Sequence, residues 1–146
     1  MDRRTTIIMV IDDDPIVLGV VQSRLQAEGF TVVTRQDAVG TLKAIQQFKP
    51  DLILLDLHMP GLSGDALAQL IRRSPSAPRS AVVIHSSEDP ATLEHAVRTT
   101  GALGYIQKSG NESVFIADIH TMLSRRNRVT GDIRPLKSLL KPSGDG

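Results

Sequence analysis

Five short apolar runs punctuate the chain: Ile7 to Ile11, Thr31 to Thr34, Leu52 to Leu55, Ala81 to Ile84 and Gly104 to Ile106. None alternates apolar with polar residues, which is the pattern of strands covered on both faces rather than one. The runs start 21 to 29 residues apart, enough for one helix between each pair, so they predict βα units on a parallel sheet. The spacers carry helix punctuation. Pro15 follows Asp14 as a first-turn proline, Val17, Val20, Val21 and Leu25 recur on one helical face, and Gly29 stops the segment. Leu42, Ile45 and Phe48 form a second stripe ahead of Pro50. Ser63 caps a third helix bearing Leu67, Leu70 and Ile71, with Pro75 just beyond. Asp89-Pro90 opens a fourth, with Leu93, Ala96 and Val97 inward and Gly101 as its stop. A fifth begins near Asn111 with Glu112 in its first turn and buries Val114, Phe115, Ile119, Met122 and Leu123.

Five strands each followed by a helix make a (βα)5 unit. Right-handed crossovers allow a doubly wound, five-stranded parallel sheet of order 2-1-3-4-5, the flavodoxin-like α/β arrangement. In that order the first and third strands flank the point where the winding reverses, and such folds bind ligands beyond the carboxyl ends of those strands.

A chain of 146 residues holds one domain with a full core and is too short for two ordinary ones. The periodic pattern decays after Arg126, where Pro135, Pro142, Gly144 and Gly146 interrupt it. The domain is therefore expected at 5–126 and a basic tail or linker at 127–146. From Arg125 to Gly146 six Lys or Arg oppose two Asp, whereas the whole chain is near neutral, with seventeen basic and sixteen acidic residues. That balance gives no case for direct nucleic-acid binding or for a membrane surface. Without cysteine there is no disulfide framework, thiolate metal site or cysteine nucleophile. No apolar run approaches the length of a membrane span or a signal peptide core, so a cytoplasmic location is the default.

The chemistry gathers at strand ends. The first run breaks into Asp12-Asp13-Asp14, the third into Asp56, the fourth ends near Ser86, and the fifth runs into Lys108. Asp12 and Asp13 repel each other, and Asp14 alone suffices to cap the following helix, so a hard cation is the better account of the first two. Oxygen donors without a His-Glu or Cys pairing suit Mg²⁺ rather than zinc. Asp56 fits either a third ligand or a nucleophile, since carboxylates attack phosphoryl groups to give aspartyl phosphates and a neighbouring metal neutralises the charge of in-line transfer. Lys108 can pair with Asp56 at rest and with a phosphoryl oxygen afterwards, although a lysine ending a strand is usually a solvated residue. The Ser86 hydroxyl can reach the same oxygen.

Ile8-Met9-Val10-Ile11-Asp12-Asp13-Asp14-Pro15, Asp51 through Asp56 to His58-Met59-Pro60-Gly61 with Gly64, Ser86, and Tyr105 three residues before Lys108 together resemble the receiver domain of two-component response regulators, of the chemotaxis type. The likeness spans about residues 7 to 124. It implies that Asp56 is the phosphoacceptor, charged by a sensor histidine kinase or a histidine phosphotransfer protein. It implies further that Asp12, Asp13, Asp56 and the backbone carbonyl of His58 hold Mg²⁺, that Lys108 and Ser86 bind the phosphoryl group, and that Ser86 and Tyr105 form the switch pair. Asp14 matches no family ligand and stays a cap. Ser109-Gly110 stands where the family usually has proline after the lysine, so the loop before the fifth helix is expected to be more adaptable.

By this account the protein is a signalling switch that catalyses only its own Mg²⁺-dependent phosphorylation and dephosphorylation. Helix one offers Ile16 and Val20 beside Gly19 to a donor. The signal passes to a downstream protein partner or to an output domain outside this chain, and a phosphorylation-dependent homodimer is compatible with it. His58, two residues past Asp56, is placed to affect how long the phosphoryl group survives. Two other accounts use similar residues. A Mg²⁺-dependent phosphohydrolase with an aspartyl-phosphate intermediate needs a second Asp where His58 stands, and a phosphorylation-independent interaction module has no need of intact Asp12, Asp13, Asp56 and Lys108.

Overall fold

The computed structural model describes residues 5–59, 63–74 and 80–130. Ten elements alternate along it: β1 (Ile7–Ile11), α1 (Pro15–Ala27), β2 (Thr31–Arg35), α2 (Thr41–Phe48), β3 (Leu52–Leu55), α3 (Gly64–Arg73), β4 (Ala81–Ser86), α4 (Pro90–Thr100), β5 (Gly104–Gln107) and α5 (Glu112–Thr130). The strands form one parallel sheet of order β2-β1-β3-β4-β5, as the pattern predicts. Pro60, Gly61, Pro75 and the tail from 131 onward lie outside the described residues.

Both faces of the sheet are covered, which is why the strands read as unbroken apolar runs. Successive side chains of β1 take opposite sides. Ile8 and Val10 join Leu18, Val21 and Leu25 of α1 and Phe115, Ile119 and Leu123 of α5. Met9 and Ile11 face Ala44 and Ile45 of α2, Leu67, Ala68 and Ile71 of α3, and Leu93 and Ala96 of α4. The helix ends carry the expected signals. Asp14 accepts from the Ile16 amide at 2.9 Å, Ser63 from Ala66 at 3.2 Å and Asp89 from Thr92 at 2.8 Å. Gly101 ends α4 in the left-handed conformation at φ 75°.

The helical stripes need correction. Leu42, Phe48, Leu70 and Val114, all read from the sequence as inward, are exposed; Val20, placed by the sequence both on the Val21 face and on the surface offered to a donor, is exposed as the second placement requires. The sheet-facing rows are filled, besides the expected Ala96 and the larger aliphatics, by Leu18, Thr41, Ala44, Ala68 and Thr100. Small residues let a helix approach the sheet closely, and a pattern keyed to large apolar side chains passes over them.

At the amino end of the sheet, α5 continues past Arg126 to Thr130. Arg126 is 1% exposed and Asn127 is 2% exposed. Arg126 Nη2 lies 3.2 Å from Asp51 Oδ1, and Asp51 Oδ2 accepts from the Ile7 amide at 2.9 Å. One buried acid and one buried base thus tie the last turns of α5 to the starts of β1 and β3.

Candidate functional site

The parallel register sets Ile11 beside Leu55, so the chain leaves β1 and β3 at neighbouring points and delivers Asp12 and Asp56 together. Backbone bonds fix both exits: the Asp12 amide donates to Arg35 O at 3.1 Å and the Asp56 amide to Ile11 O at 3.0 Å. Asp12 is 1% exposed and Asp56 5%, with Asp13 half-buried beside them. Each of Asp12, Asp13 and Asp56 offers an oxygen within 4.8 Å of the other two.

Gly64, the first residue of α3, presses against the chain just past Asp56. Its amide donates to Leu57 O at 3.0 Å, and a Cβ there would meet Asp56 O and stand 2.6 Å from Leu57 Cα. The backbone at Asp56 and Leu57 and the start of α3 leave no room for a side chain between them.

Lys108 enters from the end of β5, its amide donating to Ser86 O at 2.7 Å. Its ammonium sits 2.8 Å from Asp12 Oδ2 and 3.7 Å from Asp56 Oδ1. The sequence points to Asp56 as the resting partner; the closer one is Asp12, the more deeply buried acid. Burial raises the Asp56 carboxyl above its ordinary value, opposed by the His58 amide at 3.3 Å and by Lys108, and reinforced by Asp12 and Asp13. Three carboxylates against one ammonium leave a surplus of negative charge in a largely buried cleft. A hard divalent cation with oxygen ligands fits that donor set.

Ser86 is buried at the end of β4, its hydroxyl accepting from the Glu88 amide at 3.2 Å. Tyr105 is half-buried against the α4 side of the core and lines a groove of about 690 Å³ with Val97, Arg98, Val114, Asp118 and Met122. The His58 side chain is mostly exposed, and its Nε2 donates to Glu88 Oε2 at 2.7 Å. The imidazole therefore bridges the loops after β3 and β4.

Sequence reasoning missed Glu88 and His85. Glu88 stands two residues past Ser86, the same offset at which His58 follows Asp56, and that symmetry between a carboxylate and an imidazole was an available signal. His85 is buried, its ring 5.7 Å from that of Phe115, and burial with help from Lys108 and Arg24 lowers its pKa to about 4 despite Asp12. It is neutral near pH 7, and nothing in the run Val82 to Ser86 marks it out.

Residues 8–120 match the family model of the response regulator receiver domain. The transcriptional regulatory protein CseB of Streptomyces avermitilis is 28% identical over 95% of this chain and 58% of its own length. The chain spans little more than half the length of the first such curated relatives. Among solved structures, chemotaxis protein CheY4 of Vibrio cholerae aligns with TM-score 0.75 at 20% identity, covering 82% of this chain and 99% of that one. The receiver domain of a sensor histidine kinase from Pseudomonas aeruginosa, solved with a magnesium ion in its active site cleft, aligns with TM-score 0.73 at 17% identity, covering 83% and 99%. At these identities the structures speak for the fold, and the family model speaks for the sequence. The chain belongs to the response regulator receiver domain family, the phosphorylation-based receiving modules of two-component signalling.

Proposed function

We propose that Asp56 accepts a phosphoryl group from a phosphohistidine on a sensor histidine kinase or histidine phosphotransfer protein. The observation that carries this is the convergence of Asp12, Asp13 and Asp56 within 4.8 Å with the Lys108 ammonium alongside. An Asp56 carboxylate oxygen forms the new bond to phosphorus while the phosphorus–nitrogen bond breaks. Its electron pair returns to the imidazole, which takes a proton from water. Lys108 leaves Asp12 for a phosphoryl oxygen, and the Ser86 hydroxyl donates to another. Asp12, Asp13, Asp56 and the His58 carbonyl would hold Mg²⁺, which when bound neutralises charge on the transferred group. The chain's own catalysis is confined to this phosphorylation and its reversal by water. His58, engaged with Glu88, tunes that reversal by standing at the edge of the site.

The receiver unit is proposed at 5–126 and the basic tail or linker at 127–146, in a cytoplasmic setting, although α5 itself runs on to Thr130. No helix among the described residues is long and apolar enough to cross a membrane. The donor docks on α1, where exposed Ile16 and Val20 border an apolar groove of about 350 Å³ that reaches Phe115 and Lys108. Ser86 and Tyr105 carry the change to the α4, β5 and α5 face, toward a protein partner, a second receiver or an output domain.

Incubation with acetyl phosphate and Mg²⁺ followed by intact-mass measurement tests the assignment. One phosphoryl adduct is expected, absent in Asp56→Asn and absent with excess chelator. An adduct of undiminished yield in Asp56→Asn sinks it. Ile16→Glu should lose transfer from the cognate donor and keep acetyl-phosphate labelling; equal loss of both would mark a destabilised helix.

A further inference from the structure

We infer that Arg24, in the last turn of α1, is a positioning residue for Lys108, acting through the backbone of the loop between β5 and α5. The inference rests on the role given to Lys108 above. The backbone of that lysine is anchored on the strand side, by its amide bond to Ser86 O at 2.7 Å. On its other side the backbone is locally soft. Gly110 has no left-handed φ and a Cβ there would meet nothing within 4 Å, so packing does not dictate its path. Side chains brace the turn in part, with Ser109 Oγ accepting from Asn111 N at 3.0 Å and Asn111 Oδ1 from Val114 N at 3.0 Å, but neither bond holds the carbonyls of Ser109 and Gly110.

Arg24 closes the gap between these anchors. Its Nη1 donates to Ser109 O at 3.4 Å and its Nη2 to Gly110 O at 3.3 Å. Each bond is at the long end of the range, but the two come from one rigid planar fork to consecutive carbonyls and so define the orientation of the peptide between them. The guanidinium carbon stands 5.9 Å from the Phe115 ring centroid, which places the fork against α5 as well. A cation in the last turn of a helix also complements the helix dipole, but any positive charge serves that purpose. Two carbonyls on the residues immediately after Lys108 call for a fork. A single ammonium cannot present two donors in that fixed plane. The consequence is that the softness of Ser109-Gly110 is offset from 85 residues away, and the lysine ammonium is held where a phosphoryl oxygen will arrive.

The test is the rate of Asp56 phosphorylation by acetyl phosphate at saturating Mg²⁺. Arg24→Ala should slow it about tenfold, since small misplacements of a positioned charge cost one to two orders of magnitude. Arg24→Lys should be nearly as slow despite keeping the charge. Adding Gly110→Ala to Arg24→Ala, which stiffens the loop without a clash, should recover most of the rate. Parent-like rates in Arg24→Ala or Arg24→Lys, or no recovery in the double variant, would overturn the inference. Lys108→Ala separates the two layers: if it phosphorylates at the parent rate the role of the lysine itself fails, whereas a slow Lys108→Ala beside a fast Arg24→Ala condemns only the clamp.

Discussion

The two ends of the sheet both bury aspartate beside a cation, and they do it with opposite arithmetic. At the amino end one carboxylate, Asp51, meets one guanidinium, Arg126, and its second oxygen takes a backbone amide. At the carboxyl end three carboxylates share one ammonium, which itself favours Asp12 over Asp56. Matched charges with filled hydrogen bonds hold two elements together and have nothing left to offer. Surplus charge of one sign is held at a cost in stability and suits the cation and the phosphoryl transfer proposed for the site. The difference separates a buried acid that belongs to the architecture from one that belongs to the chemistry.

The largest effect that bears on this contrast is expected at the matched end. Arg126→Ala leaves Asp51 buried without its guanidinium and should cost about 3 to 5 kcal/mol in urea unfolding. A loss below about 1 kcal/mol would mean that the amino end is no clasp and the comparison fails. His85 gives a smaller effect at the other end. Its folded pKa of about 4 lies below the ordinary 6.5, so the folded state refuses a proton that the unfolded chain accepts. Stability is complete above 6.5 and is lost as pH falls from there toward 4. Between pH 7 and 5 the parent should lose on the order of 2 kcal/mol more than His85→Gln, and parallel curves for the two would discount the buried imidazole.

The smallest effect tests the surplus itself. Burial and the neighbouring acids raise the Asp56 pKa, so the folded state holds that proton more tightly than the unfolded chain. Stability therefore falls as pH rises from the ordinary carboxylate value of 3.8 through the raised one, and the cost persists above it. In the absence of divalent cations Asp56→Asn should be more stable than the parent at pH 7 by about 1 kcal/mol. Mg²⁺ should raise the melting temperature of the parent more than that of the variant. A variant no more stable than the parent would show that Lys108 already balances the cleft.

The strands and their order were legible because a parallel sheet covered on both faces needs unbroken apolar runs, and β1, β3 and β4 supply them. The cluster was legible too, because Asp12 and Asp56 stand immediately after a run and Lys108 one residue further on. Faces of helices were less so: Ala68 and Thr100 are buried where a pattern keyed to large apolar side chains does not look, whereas Leu70, which that pattern turned inward, is exposed. Contacts between distant segments left no local trace. Arg126 stands at the point where the pattern fades, the last residue of the expected domain, with no local sign that its charge is buried on an aspartate 75 positions earlier. Arg24 reads as a solvated residue of a helix end, and Glu88 as part of a turn. Each acquires its partner only when the sheet sets remote strand ends side by side.

The backbone contact at Gly64 bears on mutational surveys. In a saturation library scored for phosphorylation, position 64 will rank with the acceptor cluster, because any Cβ must push on the peptide that carries Asp56. Glycine has no side chain to offer a substrate, so a tolerance map by itself would mark as reactive a residue whose whole contribution is to be absent.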